Sequence, residues 1–251
     1  MKTATLKSFK AVLGILLGCI ACGAVAQQNL LINGNLQHFT VDSIALANKF
    51  YKTERLAIAE SQWDNRNQCQ ALYNPEYSYT GNGFLELTLF EKTGPTDFRI
   101  NNISGQLCRP LLAGKSYRVS FYIKAFSGTA VASGFGVIFS DSVIENKLFF
   151  DERAMKKSRV PDKIKPDFLN GQIIAVADSF TKIEFSYKAR GGELVLTIGN
   201  FREGKPLGWQ AVKPYGHLKK VFAYNDWCIY AVSDIKAVAE DESEIGCLLG
   251  Y

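Results

Sequence analysis

The sequence holds only two histidines, His38 and His217, and two methionines in 251 residues. So few imidazoles argue against a histidine-rich metal centre or a histidine-based proton relay. No apolar run reaches the roughly 18 to 20 residues that a membrane-spanning helix needs, which excludes a polytopic helical membrane protein. Also missing are a Gly-x-Ser-x-Gly nucleophile elbow, a Walker-type phosphate loop, a His-Glu-x-x-His zinc motif and a Rossmann glycine fingerprint. What the chain does have is 47% hydrophobic, 12% aromatic and 21% charged residues. That balance suits a globular protein with a real core and rules out disorder and a Gly/Pro-rich fibre. The length allows one large all-β domain or two small ones.

The first 26 residues differ from the rest. Lys2, Lys7 and Lys10 form a positive start, Ala11 to Ala26 carry no charge, and Ala24-Val25-Ala26 is a small-x-small cleavage site. We read 1–26 as an export signal and 27–251 as the mature chain, bound for the periplasm, outer membrane or cell surface. Its removal subtracts three lysines and no acid, lowering the formal charge from +5 to +2. A nearly neutral chain has no electrostatic claim on nucleic acid. Leu16-Leu17-Gly18-Cys19 leaves open cleavage before a lipidated Cys19, which would anchor the protein to a membrane. The uncharged stretch before Cys19 is short, and a leucine two before the cysteine suits that motif poorly, so cleavage after Ala26 is favoured.

Six cysteines become four once Cys19 and Cys22 leave with the signal: Cys69, Cys108, Cys228 and Cys247. An even number in an exported chain predicts two disulfides, with three connectivities open. The spacings are too wide for a four-cysteine zinc site.

Period-two alternation dominates the mature chain. In Ser116 to Ala125, Tyr117, Val119, Phe121, Ile123 and Ala125 share one face, while Ser116, Arg118, Ser120, Tyr122 and Lys124 share the other. This predicts a half-buried antiparallel strand. Similar signals run through 84–90, 135–139, 180–188, 194–200 and 228–238, with a short opening strand over 30–33. Gly81-Asn82-Gly83, Ala113-Gly114-Lys115 and Arg190-Gly191-Gly192 supply turns. Many short strands with polar turns predict an all-β antiparallel β-sandwich with jelly-roll or Greek-key connections. One or two short helical insertions are expected: 43–61 has helix formers with Asp42 or Ser43 as N-cap. The mixed-charge stretch 145–167 reads as a solvated loop or short helix. Nothing divides 27–251, so one domain is the economical expectation.

Catalytic residues are not assigned. Carboxylate pairs of a glycoside hydrolase would meet only in space, and Glu86 alternates with Leu85 and Leu87 as an outward sheet residue. Ligand binding has a better basis, because flat aromatic faces suit sugar C–H groups. Tyr73, Tyr77, Tyr79, Trp63 and Trp209 lie in turn-rich segments where a sandwich places its loops. The loop from Leu72 to Gly83 is the first candidate and Trp209 the second. Trp227, beside Cys228, reads as packing.

The opening Gln28-Asn29-Leu30-Leu31-Ile32-Asn33-Gly34-Asn35-Leu36 resembles the start of exported Bacteroidetes proteins that carry a galactose-binding-like, carbohydrate-binding-module-type jelly roll. The blocks LLAGKSYRVSFYIKAF at 111–126, GFGVIFSD at 134–141, GGELVLTIGNF at 191–201 and the last strand, 228–235, follow in that family's order. The resemblance covers most of 28–238 and implies a galactose-binding-like sandwich, in some relatives fused to an OmpA-like domain. It further implies a structural calcium at Asn33, Asn35 and Asp234. Leu36-Gln37 and Ser233-Asp234 stand where the family pattern has further carboxylates, which weakens that set. No other cofactor is expected. The resemblance also implies O-glycosylation sequons at Asp42-Ser43-Ile44 and Asp141-Ser142-Val143, with Ser43 and Ser142 as acceptors.

Together these features predict a non-catalytic binding module of the cell envelope that recognises a glycan or another envelope component. The alternative is a structural accessory subunit docked on an outer-membrane protein complex, suggested by the 43–61 and 145–167 insertions. Membrane contact would then come only through a lipid anchor or a membrane-protein partner.

Overall fold

The computed structural model describes residues 29–32, 34, 36, 40–41, 54–57, 63–64, 70–73, 76–80, 83–92, 97–99, 102–126, 129, 131–144, 149–151, 165–174, 179–201 and 227–241. Fourteen strands are seen among them: β1 (Thr40–Val41), β2 (Glu54–Ala57), β3 (Trp63–Asp64), β4 (Gln70–Tyr73), β5 (Gly83–Lys92), β6 (Asp97–Arg99), β7 (Asn102–Gln106), β8 (Ser116–Ala125), β9 (Phe135–Ser140), β10 (Phe149–Asp151), β11 (Phe168–Leu169), β12 (Thr181–Lys188), β13 (Val195–Asn200) and β14 (Trp227–Ala239).

They form two antiparallel sheets. The larger runs β1-β2-β4-β5-β14-β8-β12, with β6 and β10 branching from β5, and the smaller runs β11-β9-β13-β7-β3. From β7 to β14 successive strands alternate between the two sheets, the connectivity expected of a jelly-roll sandwich. The fold class read from the alternation is therefore the one observed.

Alternation sets which residues meet between the sheets. On β8, Tyr117, Val119, Phe121, Ile123 and Ala125 are fully buried. They pack with Leu85, Leu87 and Leu89 of β5, Cys228, Tyr230 and Val232 of β14, and Leu196 and Ile198 of β13. Each large apolar side chain so buried contributes about 1.5 to 3 kcal/mol. β13 is buried on both faces: Thr197, pointing away from this core, exchanges a 2.9 Å hydroxyl bond with Ser104 of β7.

Leu72, Phe84, Ile229 and Ala231 form a second, smaller core with Tyr77 and Phe126. Phe84 lies beside Leu85, and Ile229 and Ala231 flank Tyr230, so this cluster occupies the opposite, outer face of the large sheet. The 76–80 segment contributes Tyr77 to it and lies over the sheet there.

The first segment closes on the last strand. Leu30 N–H to Ala237 O at 2.8 Å, Ile235 N–H to Gly34 O at 2.8 Å, and Asn29 Nδ2 to Ile235 O at 2.8 Å tie 29–34 to β14. A Cβ on Gly34 would lie 2.1 Å from Ile235 O, so only glycine permits this approach. β14 carries an irregularity between Ser233 and Lys236, with Asp234 at φ 50°, as in a β-bulge.

Several expectations change. The helix expected over 43–61 contains a strand, β2, and the rest of that segment lies outside the described residues. Within 145–167, Phe149–Asp151 is a strand paired with β6. No helix is seen among the described residues. The expected opening strand over 30–33 reduces to an isolated bridge between Leu31 and Leu107. Gly83 is not the tip of a turn but the first residue of β5, paired with Tyr73.

The two expected disulfides are also corrected. Cys228 is a free, buried thiol, because its place on the inward face of β14 puts it in the core beside Tyr230. The four cysteines of 27–251 therefore cannot form two bridges among themselves. Cys108 is disulfide-bonded, while Cys19, Cys69 and Cys247 lie outside the described residues.

Candidate functional site

The outer face of β8 alternates with its core face, so Tyr122 is directed away from the core. Its cross-strand neighbours are Lys182 of β12 and Ser233 of β14, and the next row is Glu184, Ser120 and Lys236. Tyr122 is the aromatic ring on the otherwise polar outward row of β8. Tyr79 gives partial cover. Its ring lies on Tyr122 with centroids 3.4 Å apart and planes within 9°, and Phe180 meets Tyr79 edge-on at 5.6 Å. Tyr79 itself remains 47% exposed.

Three contacts hold Tyr79 there. Its backbone N–H donates to Ser233 Oγ at 3.2 Å, Ser78 Oγ donates to Gly83 O at 3.3 Å, and Lys124 Nζ donates to Glu76 O at 2.7 Å. Lys124 is almost fully buried, with its ammonium 5.0 Å from the Tyr77 ring centre and 5.4 Å from that of Phe180. Tyr77 in turn stacks on Phe126 at 4.3 Å.

The rim of the platform is charged in pairs. Lys182 pairs with Glu184, and Lys236 Nζ lies 3.1 Å from Asp234 Oδ2. The Tyr122 phenol is pushed up to about 12, first by its hydrogen bond with Tyr79, then by burial, then by the negative charges of Asp234 and Glu184. It therefore stays neutral and available as a donor or acceptor at physiological pH. A flat aromatic surface beside the exposed Lys182–Glu184 pair can stack on the apolar face of a pyranose while the charged pair bonds its hydroxyls.

The sequence candidates separate on this structure. Tyr79 stands at the centre of the platform. Tyr77 is a core residue, 3% exposed and stacked within the second cluster, so its proposed contact with ligand is withdrawn. Tyr73 closes β4 and Trp63 opens β3; their side chains, and all of Trp209, lie outside the described residues. Tyr122 and Phe180 were not among the candidates. Tyr122 had a signal, since it is the aromatic residue on the polar face of the most regular strand.

Of the calcium set, only Asp234 falls among the described residues. No group of three or more histidine, cysteine, aspartate or glutamate side chains is placed there to hold a metal. The Asp234 carboxylate pairs with Lys236 Nζ at 3.1 Å. Asn33 and Asn35 lie outside the described residues, as does Ser43. Ser142 is exposed, and its hydroxyl donates to Asp141 Oδ1 at 2.9 Å.

A second polar cluster is structural. Glu193 is buried in the turn after β12. It accepts from Tyr187 OH at 2.6 Å, Arg190 N–H at 2.7 Å and Gly191 N–H at 2.9 Å. Burial alone would raise its carboxyl, but these donors outweigh it and hold the group below the usual range. Gly191, at φ 100°, supplies the left-handed turn that aims its N–H at the carboxylate.

No family model matches the chain, and no curated protein matches it. Among solved structures, it is similar to the CBM22-1 xylan-binding domain of Paenibacillus barcinonensis Xyn10C, at a TM-score of 0.38 and 12% identity over 71% of this chain and 85% of that one. It is similar to the K1 cleaved adhesin domain of Lys-gingipain from Porphyromonas gingivalis W83, at 0.36 and 10% over 68% and 83%. It is also similar to TmCBM61 in complex with β-1,4-galactotriose, at 0.34 and 10% over 85% and 99%. The chemistry of the site therefore rests on this chain's own residues.

Proposed function

We propose that this protein is an exported, non-catalytic binding module of the cell envelope that takes a glycan on the Tyr79–Tyr122 platform. The observation that carries the reading is a half-exposed tyrosine held flat on a second tyrosine, on the outer face of a sheet, with the exposed Lys182–Glu184 pair on the neighbouring strand. Stacked aromatic surfaces of this kind favour ring-shaped ligands with apolar faces and polar edges. Binding without catalysis fits the carboxylates seen near the platform, since Glu184 and Asp234 are each paired with a lysine. Export rests on residues 1–26, and Ser142, exposed in its sequon, is the described candidate for O-glycosylation.

A glycan array probed with the mature protein, run beside a native pull-down from the envelope, tests this reading. We expect glycan binding that persists with purified protein. A stoichiometric membrane partner with no glycan signal would replace it with the accessory-subunit reading.

A further inference from the structure

We infer that Lys124 is a positioning residue for the platform: it fixes the 76–80 segment on the large sheet and thereby sets the stacking of Tyr79 on Tyr122. Its binding arm rests on the glycan reading; its structural arm does not. Lys124 lies on the polar face of β8, two residues from Tyr122, yet is only 6% exposed. A lysine in such a place loses much of its hydration and needs compensation. The compensation here comes from the loop that carries Tyr79.

The ammonium donates to the backbone carbonyl of Glu76 at 2.7 Å, with the Glu76 carboxylate 4.0 Å away. It also sits between the Tyr77 and Phe180 rings, at 5.0 and 5.4 Å from their centres, a cation–π arrangement. Tyr77 belongs to the second core and Phe180 touches Tyr79. One side chain thus joins the core, the loop backbone and the exposed rings. Its contact with the loop is made at a carbonyl, so Glu76 can change without loss of the anchor, whereas Lys124 cannot lose its charge.

The test compares Lys124→Met, Lys124→Arg and Glu76→Gln in the mature protein by NMR and by binding of xylohexaose and β-1,4-galactotriose. The Tyr122 ring beneath Tyr79 shifts the Tyr79 ring protons. We expect Lys124→Met to lose that shift while resonances of the core residues Tyr117 and Tyr230 hold, and to weaken binding of whichever probe binds by about tenfold. Lys124→Arg and Glu76→Gln are expected to keep the shift. A folded Lys124→Met that keeps both the shift and the affinity overturns the inference. If Lys124→Met does not fold, Lys124→Gln removes the charge with a polar side chain and is expected to lose the shift; an unchanged shift there overturns it equally. If no version binds either sugar but the shift is lost as expected, the positioning role stands and only the glycan reading suffers.

Discussion

Tyr79 and Tyr122 stack with centroids 3.4 Å apart and planes within 9°, although 43 positions separate them in the chain. The hydrogen bond with Tyr79, ahead of burial and the nearby negative charges, raises the Tyr122 phenol from 10.0 to about 12. A folded pKa above the unfolded one means that the contribution to stability is complete below pH 10 and is lost as pH rises toward 12. Tyr79→Phe removes the largest cause and keeps the ring. We expect Tyr122 in that variant to ionise closer to 10, measured by alkaline NMR titration of labelled tyrosine; an unchanged midpoint would refute the role of the hydrogen bond.

The Glu193 turn responds to acid. Its carboxyl is held below its ordinary 4.5 by the donors of Tyr187, Arg190 and Gly191. A depressed folded pKa contributes stability that is present above the unfolded value and lost as pH falls through the folded one. Glu193→Gln should cost about 2 kcal/mol at pH 7. In urea unfolding, that difference should narrow at pH 3. A gap of equal size at both pH values would show that charge plays no part.

Cys228 should behave as an inert thiol. Burial pushes it up to about 12, against a smaller opposing effect of its hydrogen bond with Tyr230, so little thiolate exists at neutral pH. Iodoacetamide should spare it in the native protein and label it after denaturation without reductant, while Cys108 maps to a disulfide peptide. Rapid native labelling of Cys228 would contradict its place in the core.

Strands with one wet face were legible in the sequence. β8 was read over its observed residues, and β12 buries Ile183 and Tyr187 with exposed residues between them. β7 was missed because Asn102-Ile103-Ser104-Gly105-Gln106 has no alternation to read: Ser104 is buried against Thr197 on the face away from the core. The site was half legible. Tyr77 and Tyr79 look alike in the sequence, and their fates are set by partners far along the chain. Lys124 anchors Glu76 from 48 positions away and Ser233 receives the Tyr79 N–H from 154. Cysteine parity failed for a related reason, since it counts thiols but does not know that position 228 faces the core.

The central claim is that the exposed Tyr79 face meets a glycan. The most direct measurement is the affinity of the mature protein and of Tyr79→Ala for the strongest binder on the array, with thermal unfolding of both. Loss of one aromatic stacking surface should weaken binding by about tenfold, some 1 to 1.5 kcal/mol, and lower the unfolding temperature by only about 2 to 4 °C, the cost of the lost stack on Tyr122, because Tyr79 lies outside both cores. Equal affinity of the two proteins would contradict the account.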